Sequence, residues 1–313
     1  MTQSAREASV LRIGSRGSPL ALIQARAVQS GLAAAAGLDA RRIEIVAIRT
    51  TGDAVQDRPL AEAGGKGLFT KEIEEALIAG KIDLAVHSSK DLPTLLPAGL
   101  LLAGFLPRED PRDAFISRKA KTLRELGPGA VVGTASPRRE ALVKRLRPDL
   151  KVVTLRGNVE TRLAKLDAGE VDATILAVAG LKRLGLLAEA TAILDPDEFP
   201  PAVGQGAIGI ETRADDANTR ALVAKVDDPD TAIALAAERA FLAVLDGSCR
   251  TPIGGHAEVS GGKIRFRGVI VKSDGSEAFE VAREGRREAA AEIGADAGRE
   301  LRQRASADFF VRA

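Results

Sequence analysis

The 313-residue chain is 45% hydrophobic and 28% charged, as ordinary globular proteins are, and it is long enough for two or three domains. Its one cysteine excludes an intramolecular disulfide and multi-cysteine metal sites. The sequence has no signal-peptide pattern and no apolar run of about 20 residues, which predicts a cytoplasmic protein outside the membrane. The net charge is +2, and the cationic residues are 32 arginines and 13 lysines. The arginine excess favours planar anionic ligands such as carboxylates. The absence of Trp and Tyr, which stack on bases, disfavours a nucleic-acid partner.

The first two thirds of the chain alternate strand and helix patterns, which is typical of α/β domains with largely parallel sheets. In the first helix, Ser18 is predicted as the N-cap and Pro19 as the first helical residue. The elements predicted in order are strand VLRIGS, helix SPLALIQARAVQSGLAA, strand RIEIVAI, helix GLFTKEIEEALIAGKI and buried strand DLAVHSS.

The alternation restarts after PREDPRDAFIS, which indicates a second α/β domain. Its predicted elements are strand AVVGTAS, helix SPRREALVKRLRP, strand KVVTLRG, helix NVETRLAKLDAGE and strand DATILAV. The stretch FPPAVGQGAIGIETR is a crossover that returns the chain to the first domain as a strand. The first domain is therefore expected over residues 1–108 and 203–225, and the second over residues 109–202.

The remaining residues, 226–313, are predicted to form an α+β domain. Cys249 lies at its entrance, between a long helix and a glycine-rich turn. The elements are helix DPDTAIALAAERAFLAVLDG, strands HAEVS, KIRFRGVIVKS and EAFEVAREG, and closing helix REAAAEIGADAGRELRQRA.

Polar side chains follow the predicted strands at the points where the next helices begin. Ligands of α/β sheets bind at the carboxyl ends of strands, so two such domains facing each other bring these groups into one cleft. The implied ligand carries several carboxylates or phosphates. The residues at these strand ends are Arg16, Ser18, His87, Ser88, Ser89, Lys90, Asp91, Ser136, Arg138, Arg139, Arg156, Arg162 and Arg183.

Asp91 directly follows a buried strand and lies beside Lys90. A carboxylate at this position fits two roles, a proton donor or acceptor in a water-poor cleft and a simple cap of a helix or turn. His87 ends the same apolar strand and is expected to be a core histidine. The glycine-rich loop Gly64–Phe69 lacks the full P-loop spacing, so a mobile lid is the alternative to a phosphate cradle.

Cys249 has three interpretations. It is an inert buried thiol, although a Gly-Ser-Cys-Arg turn is an unusual core position. It is a nucleophile, which requires a partner from the two histidines of the chain, His87 and His256. Or it is a covalent tether, whose thiolate form the neighbouring Arg250 favours. Composition does not choose between the last two.

Eight stretches of the chain, in order and over nearly its whole length, resemble the porphobilinogen deaminase family. No single motif carries the resemblance, which makes it highly specific. The stretches are IGSRGSPLALIQA, GGKGLFTKEIEEAL, DLAVHSSKDLP, REDPRDAFIS, VVGTASPRR, LRGNVETRLAKLDAGEVDATILAVAGLKRLG, PAVGQGAIGIE and GSCRTPIGGHA.

The resemblance implies two α/β domains similar to type II periplasmic binding proteins and a small α+β C-terminal domain. It implies a transferase of tetrapyrrole and haem biosynthesis that works as a monomer. The family condenses four porphobilinogen molecules head to tail into the linear tetrapyrrole hydroxymethylbilane and releases four molecules of ammonia. Its cofactor is dipyrromethane, bound through a thioether to the cysteine that corresponds to Cys249.

The resemblance also implies residue roles, because substrate and cofactor carry acetate and propionate side chains. Asp91 matches the catalytic aspartate of the family. Matching cofactor contacts are Lys90, Ser18, Ser136, Arg138, Arg139, Arg162 and Arg183. Matching substrate contacts are Arg16, Arg156, Asp53, Lys66 and Phe69.

Two other classes of protein compete with this interpretation. A non-catalytic binding protein of the periplasmic type explains the two α/β domains and the arginines, but it explains neither the cysteine nor a third domain. A cysteine hydrolase explains Cys249, but it requires a histidine within hydrogen-bond reach.

Overall fold

Three β-sheets and the helices that cover them make up this computed structural model, which describes residues 11–54, 67–245, 252–306 and 309. The strands are β1 (Leu11–Arg16), β2 (Ile43–Ile48), β3 (Leu84–Ser88), β4 (Leu100–Phe105), β5 (Asp113–Ser117), β6 (Val131–Gly133), β7 (Lys151–Val153), β8 (Ala173–Ala177), β9 (Ala192–Ile193), β10 (Ile208–Arg213), β11 (Ile253–Ser260), β12 (Lys263–Val271) and β13 (Ala278–Arg286). The helices are α1 (Pro19–Ala36), α2 (Thr51–Ala54), α3 (Lys71–Ile78), α4 (Pro137–Leu146), α5 (Val159–Asp167), α6 (Val178–Arg183), α7 (Ala217–Val223), α8 (Pro229–Val244) and α9 (Ala290–Arg304).

The first two sheets share one topology. Their strand orders are β2-β1-β3-β10-β4 and β7-β6-β8-β5-β9. In the first sheet β1 pairs in parallel with β2 and β3, whereas β10 is antiparallel to both of its neighbours. In the second sheet β6 pairs in parallel with β7 and β8, and β5 is antiparallel to both of its neighbours. Four strands of each five-stranded sheet therefore run in one direction, which confirms the prediction of largely parallel sheets, and β10 and β5 run against them. These two strands run against the others because the chain enters them from the opposite sheet.

The third sheet is an antiparallel meander in the order β11-β12-β13, packed against α8 and α9. Burial alternates along the start of β12, and Phe241 of α8 meets Phe266 of β12 with ring centroids 4.9 Å apart. The two helices approach so closely that a Cβ at Gly294 would lie 1.9 Å from the carbonyl oxygen of Ala237. Only glycine leaves room for this contact.

Glu238 connects this third unit to the rest of the molecule. Its fully buried carboxylate accepts hydrogen bonds from Arg108 Nη1 at 2.5 Å and from the backbone nitrogens of Gly204 at 2.7 Å and Ala257 at 2.8 Å. Burial of a carboxylate is tolerated where it is fully hydrogen-bonded and paired. One side chain of α8 thus holds the segment after β4, the crossover before β10 and the start of β11.

The predicted N-cap of α1 is present, and α4, which also begins with proline, has a cap of the same kind. Ser18 accepts a hydrogen bond from the Ala21 nitrogen in α1, and Ser136 accepts one from the Arg139 nitrogen in α4, both at 3.4 Å. The second predicted helix, α3 of the structure, starts later than expected, at Lys71, because Gly67 has a φ of +86° and takes part in a turn. The predicted pattern did not include β4, β5 or β9.

Two α/β units followed by an α+β unit confirm the expected fold class. The residue boundaries of the three domains stay a prediction. Within the described ranges no helix is both long and apolar enough to cross a membrane.

Candidate functional site

A cavity of ≈ 1190 Å³ lies between the first two sheets, at the carboxyl ends of their strands. Its wall includes Arg16 and Ser88 at the ends of β1 and β3, and Thr134 and Ala177 at the ends of β6 and β8. This is the location that open α/β sheets favour for ligands. The crossover residues Ala202–Ala207 close the cavity at its base.

Helix N-termini also face the cavity. Ser18, Ser136 and Asn158, the N-caps of α1, α4 and α5, all line it. The exposed N–H groups and the positive end of a helix dipole favour an anion at such a position. Three helices therefore direct positive potential into one space.

The cavity brings together most of the predicted site residues. Those that line it are Arg16, Ser18, Phe69, Lys90, Asp91, Ser136, Arg138, Arg139, Arg156, Arg162 and Arg183. Cys249 and Lys66 lie outside the described residues, and Asp53 lies in α2 with a side chain that is likewise not described. His87 is not in the wall: it is buried below it, and its Nε2 lies 3.0 Å from Glu211 Oε2, as expected of a core histidine.

Positive charge dominates the described wall, where nine cationic side chains face three anionic ones. The anionic residues are Asp91, Glu140 and Glu160. The cationic residues are Arg16, Arg49, Lys90, Arg138, Arg139, Arg156, Arg162, Lys165 and Arg183. Such an excess attracts ligands with several negative charges.

The pKa of Lys90 is lowered by its surroundings in the cavity wall. Burial and the nearby Arg139 lower the pKa of its ammonium group to about 8, against the opposing attraction of Asp91 and Asp113. Its Nζ donates one hydrogen bond, of 3.3 Å, to Gln205 Oε1. A carboxylate placed beside Lys90 would relieve the charge imbalance and raise this pKa.

Arg162 on α5 is in a similar state. Burial, followed by repulsion from Arg139 and Arg156, lowers the pKa of its guanidinium to about 10, and Asp91 opposes the shift. Its Nε donates to the Gly157 carbonyl at 2.9 Å. Burial also lowers the pKa values of Arg138 and Arg183. Lys90 and Arg162 lie on opposite walls, and the carboxylate of Asp91 acts on both.

Arg138 and Arg139 are buried and share one carboxylate, that of Asp113. Arg138 Nη2 and Arg139 Nη2 each lie 2.7 Å from an Asp113 oxygen. Burial raises the pKa of Asp113, but the two guanidinium groups outweigh it and hold this pKa far below its ordinary value. Arg138 Nε remains buried without a hydrogen-bond partner among the described residues.

Arg16 and Arg183 are positioned by different contacts. The Arg16 guanidinium lies 4.2 Å from the ring centroid of Phe69, a cation–π arrangement that orients it at the end of β1. Arg183 Nη2 donates to the Gly206 carbonyl at 2.7 Å, which ties the end of α6 to the crossover.

Asp91 is the last residue of a short 3-10 turn, Ser89–Asp91, that follows β3. Its half-buried carboxylate lines the cavity and accepts no hydrogen bond from the described residues. It is therefore available to a ligand, close to Lys90 and Arg162. A carboxylate in this setting can hold or transfer a proton.

Sequence analysis did not identify four residues of this region, Arg49, Asp113, Lys165 and Gln205. Arg49 and Lys165 line the cavity as further cations. Asp113 and Gln205 occur in the quoted stretches PREDPRDAFIS and FPPAVGQGAIGIETR, but no strand was predicted at Asp113. Asp113 is the first residue of β5 and not the last, so it reaches the cavity edge only because β5 is antiparallel to its neighbours. A strand signal in DAFIS alone would not have placed it there.

Family models match two parts of the chain. Residues 11–221 match "Porphobilinogen deaminase, dipyromethane cofactor binding domain", and residues 232–303 match "Porphobilinogen deaminase, C-terminal domain". The first match contains every described cavity residue except Leu242 and Ile253.

Whole-chain relatives agree with these matches. Porphobilinogen deaminases from Nitrobacter hamburgensis and Nitrobacter winogradskyi are each 62% identical over 310 residues, which is 99% of this chain and 98% of theirs. Among solved structures, the methionine binding protein MetQ superposes with a TM-score of 0.45 and 19% identity, over 71% of this chain and 91% of its own. The family models and the full-length identity lead to one conclusion: the chain belongs to the porphobilinogen deaminase family.

Proposed function

We propose that the cavity between the first two sheets is where this chain performs the reaction of its family. Four porphobilinogen molecules are joined head to tail into hydroxymethylbilane, and four molecules of ammonia are released. The observation that carries the assignment is the surplus of cations in the described wall around Asp91, whose carboxylate accepts no hydrogen bond from the described residues. Substrate and product carry acetate and propionate groups, which are the counter-ions that this wall lacks.

The described residues fit the dipyrromethane cofactor that the matching family model names. Arg138 Nε is a buried donor that lacks a partner, and the pKa values of Lys90 and Arg162 are depressed by burial and by like charges. A ligand with several carboxylates would accept a hydrogen bond from Arg138 Nε and would raise the pKa values of Lys90 and Arg162. When bound, the cofactor supplies the pyrrole carbon to which the first substrate is joined.

Cys249 is the proposed attachment point, through a thioether. Its segment is not described, but the chain on either side reaches the cavity: Leu242 of α8 and Ile253 of β11 both line it. Neither histidine supports the hydrolase: His87 is buried against Glu211, and His256, whose Nδ1 lies 3.8 Å from Glu258 Oε1, is not among the described residues that line the cavity. A tether is therefore preferred to a nucleophile.

Asp91 is the proposed catalytic residue. Each condensation breaks a carbon–nitrogen bond, releases ammonia and forms a carbon–carbon bond between two rings. The carboxyl group of Asp91 gives its proton to the departing amine, and the resulting carboxylate accepts hydrogen bonds from pyrrole N–H groups. It then takes up the proton that the attacking ring carbon loses when the new bond forms, so that its protonated state is restored in each turn. As an anion it also stabilises positive charge that develops on the rings.

The cationic side chains divide into two proposed sets. Lys90, Arg138, Arg139, Arg162 and Arg183, with Ser18 and Ser136, contact the cofactor. Arg16 and Arg156, with Asp53, Lys66 and Phe69, contact the substrate. Guanidinium groups pair bidentately with carboxylates, so they fix the orientation of each ring as well as its affinity.

Intact-protein mass spectrometry tests the assignment. We expect the purified protein to carry an adduct of two pyrrole units, and we expect Cys249→Ser to lack it. Ser248→Ala, next to the attachment point, is the matched control and should retain the adduct. An active protein with only the bare chain mass would refute the proposal.

The proposal takes the enzyme to be a monomer of the cytoplasm that acts on porphobilinogen. All the residues assigned to the site belong to one chain, and a cysteine that must remain a thiol until its cofactor is attached suits a reducing compartment. Light scattering after size-exclusion chromatography tests the oligomeric state: a stable dimer at working concentration would contradict it.

A further inference from the structure

The crossover between the second sheet and β10 contains a rigid turn, Gly204–Gly206, which we call the junction segment. Gly204 and Gly206 have φ values of +75° and +89°. A Cβ at Gly206 would lie 2.2 Å from the Glu109 carbonyl oxygen, and the Gly204 nitrogen is held by Glu238 at 2.7 Å. The backbone on both sides of Gln205 is therefore fixed.

Gln205 uses its side-chain amide in two directions. Its Nε2 donates to the Pro111 carbonyl at 2.6 Å and to Asp113 Oδ1 at 3.0 Å, both at the start of the second α/β unit. Its Oε1 accepts from Lys90 Nζ at 3.3 Å, in the first unit. Only 1% of its surface is exposed. One neutral side chain thus bridges a cation of one wall and an anion of the other.

The anion at the far end of this bridge controls two further cations. Asp113 accepts from Arg138 Nη2 and from Arg139 Nη2, each at 2.7 Å, and from Arg139 Nε at 3.2 Å. The order Lys90–Gln205–Asp113–Arg138/Arg139 is a continuous hydrogen-bonded chain between the two walls. Chains of this kind have energies that depend on all their members.

We propose that Gln205 is a positioning residue that holds Lys90 in register with the Asp113–Arg138–Arg139 cluster across the cavity. The inference rests on the proposed function, because it takes the cations on both walls to act on one ligand. Catalysis by positioning needs groups fixed to within about 1 Å, and the junction segment supplies that rigidity.

Glutamine suits this place because its amide is both donor and acceptor. Methionine has a similar shape but forms a hydrogen bond with neither Lys90 nor Asp113. Glutamate attracts Lys90 and repels Asp113. The charged groups that act on Lys90 are Asp91, Arg138, Arg139 and Asp113, so a carboxylate at position 205 adds to the attraction and keeps Lys90 protonated to higher pH.

The test compares Gln205→Met, Gln205→Glu and the control Gln24→Met. Gln24 is also buried and lines the cavity, but its amide bonds to Ser88 within the first unit. Intact mass of each variant and of the unmodified protein is recorded first, since loss of the adduct from the unmodified protein would count against the proposed function and not against this inference.

The kinetic measurements are kcat, KM and the pH–rate profile. We expect Gln205→Met to keep its melting temperature within a few degrees and to lower kcat by about 10- to 100-fold. The alkaline limb of the pH–rate profile should move to lower pH in Gln205→Met and to higher pH in Gln205→Glu. In Gln24→Met this limb should stay in place. An unchanged limb in both Gln205 variants would overturn the proposal, as would unchanged kcat in Gln205→Met. Should Gln205→Met fail to fold, Gln205→Glu alone decides through its limb.

Discussion

Asp113 and Arg138 form a buried ion pair, in which Arg138 Nη2 lies 2.7 Å from Asp113 Oδ2. Asp113 is fully buried and Arg138 is 4% exposed. The same carboxylate holds Arg139, so a single negative charge supports two guanidinium groups at the cavity wall. Asp113 therefore fixes the positions of both guanidinium groups in the cavity wall, where a ligand would meet them.

Asp113→Asn should destabilise the protein by about 3–5 kcal/mol, because two buried guanidinium groups would lose their charged partner. Urea unfolding followed by circular dichroism measures the change. Asp167→Asn is the control: Asp167 pairs with Arg118 at the exposed surface, where a pair contributes about 0–1 kcal/mol. Equal effects from the two variants would contradict the burial argument.

The ion pair also affects how the free energy of unfolding depends on pH in acid. The pKa of Asp113 is lowered on folding, so its contribution is present above the unfolded value of about 3.9 and is lost as pH falls toward the folded value. The free energy of unfolding should therefore fall less steeply below pH 4 in Asp113→Asn than in the unmodified protein. Parallel curves would show that folding does not lower the pKa of Asp113.

Asp91→Asn should lower turnover by about 100- to 10,000-fold while the melting temperature stays close to that of the unmodified protein. The amide keeps the shape of the side chain but neither carries the charge nor transfers the proton. Rapid-quench assay of ammonia release measures the chemical step. Near-normal release would remove Asp91 from the reaction and leave it as a turn residue.

Arg156→Leu should weaken binding of a substrate carboxylate by about 10- to 100-fold, because a charge-assisted hydrogen bond is lost. Mass spectrometry of protein mixed with limiting porphobilinogen should then show accumulation of short intermediates. Arg145→Leu is a matched control, since Arg145 is exposed on α4 and does not line the cavity. The same intermediate distribution in both variants would contradict the role of Arg156.

Carboxylate binding should be accompanied by proton uptake around pH 8.5. The pKa of Lys90 is about 8, so part of the population is neutral there, and a bound carboxylate raises this pKa. Below pH 7 Lys90 is already charged and contributes no uptake. Calorimetric titration of Cys249→Ser with porphobilinogen, in two buffers of different ionisation enthalpy, measures the protons. Uptake that persists in Cys249→Ser/Lys90→Met would assign it to another group.

Local pattern predicted the walls of the cavity well. Ser18 and Ser136 lie within a few residues of the strands they follow, and Ser18 is the N-cap of its helix, as expected. Arg16, Lys90 and Asp91 were placed in the cleft because a strand end fixes the position of the residues that come directly after it.

The supporting contacts could not be predicted in this way. Asp113 is 25 positions from Arg138 and 92 positions from Gln205, and each pairing depends on the arrangement of whole elements. The antiparallel direction of β10 also depends on where the chain comes from rather than on its own residues. Local sequence specifies what a strand end carries, whereas tertiary structure decides which side chain meets it.

The position of β10 has a consequence for synthesis of the protein. The second sheet draws all its strands from one continuous stretch, residues 113–193, whereas β10 completes the first sheet only when residue 213 has been made. Until then β3 and β4 lack the strand that lies between them, and their edges are open to wrong partners. The second sheet can thus close on the nascent chain before β10 is available to complete the first.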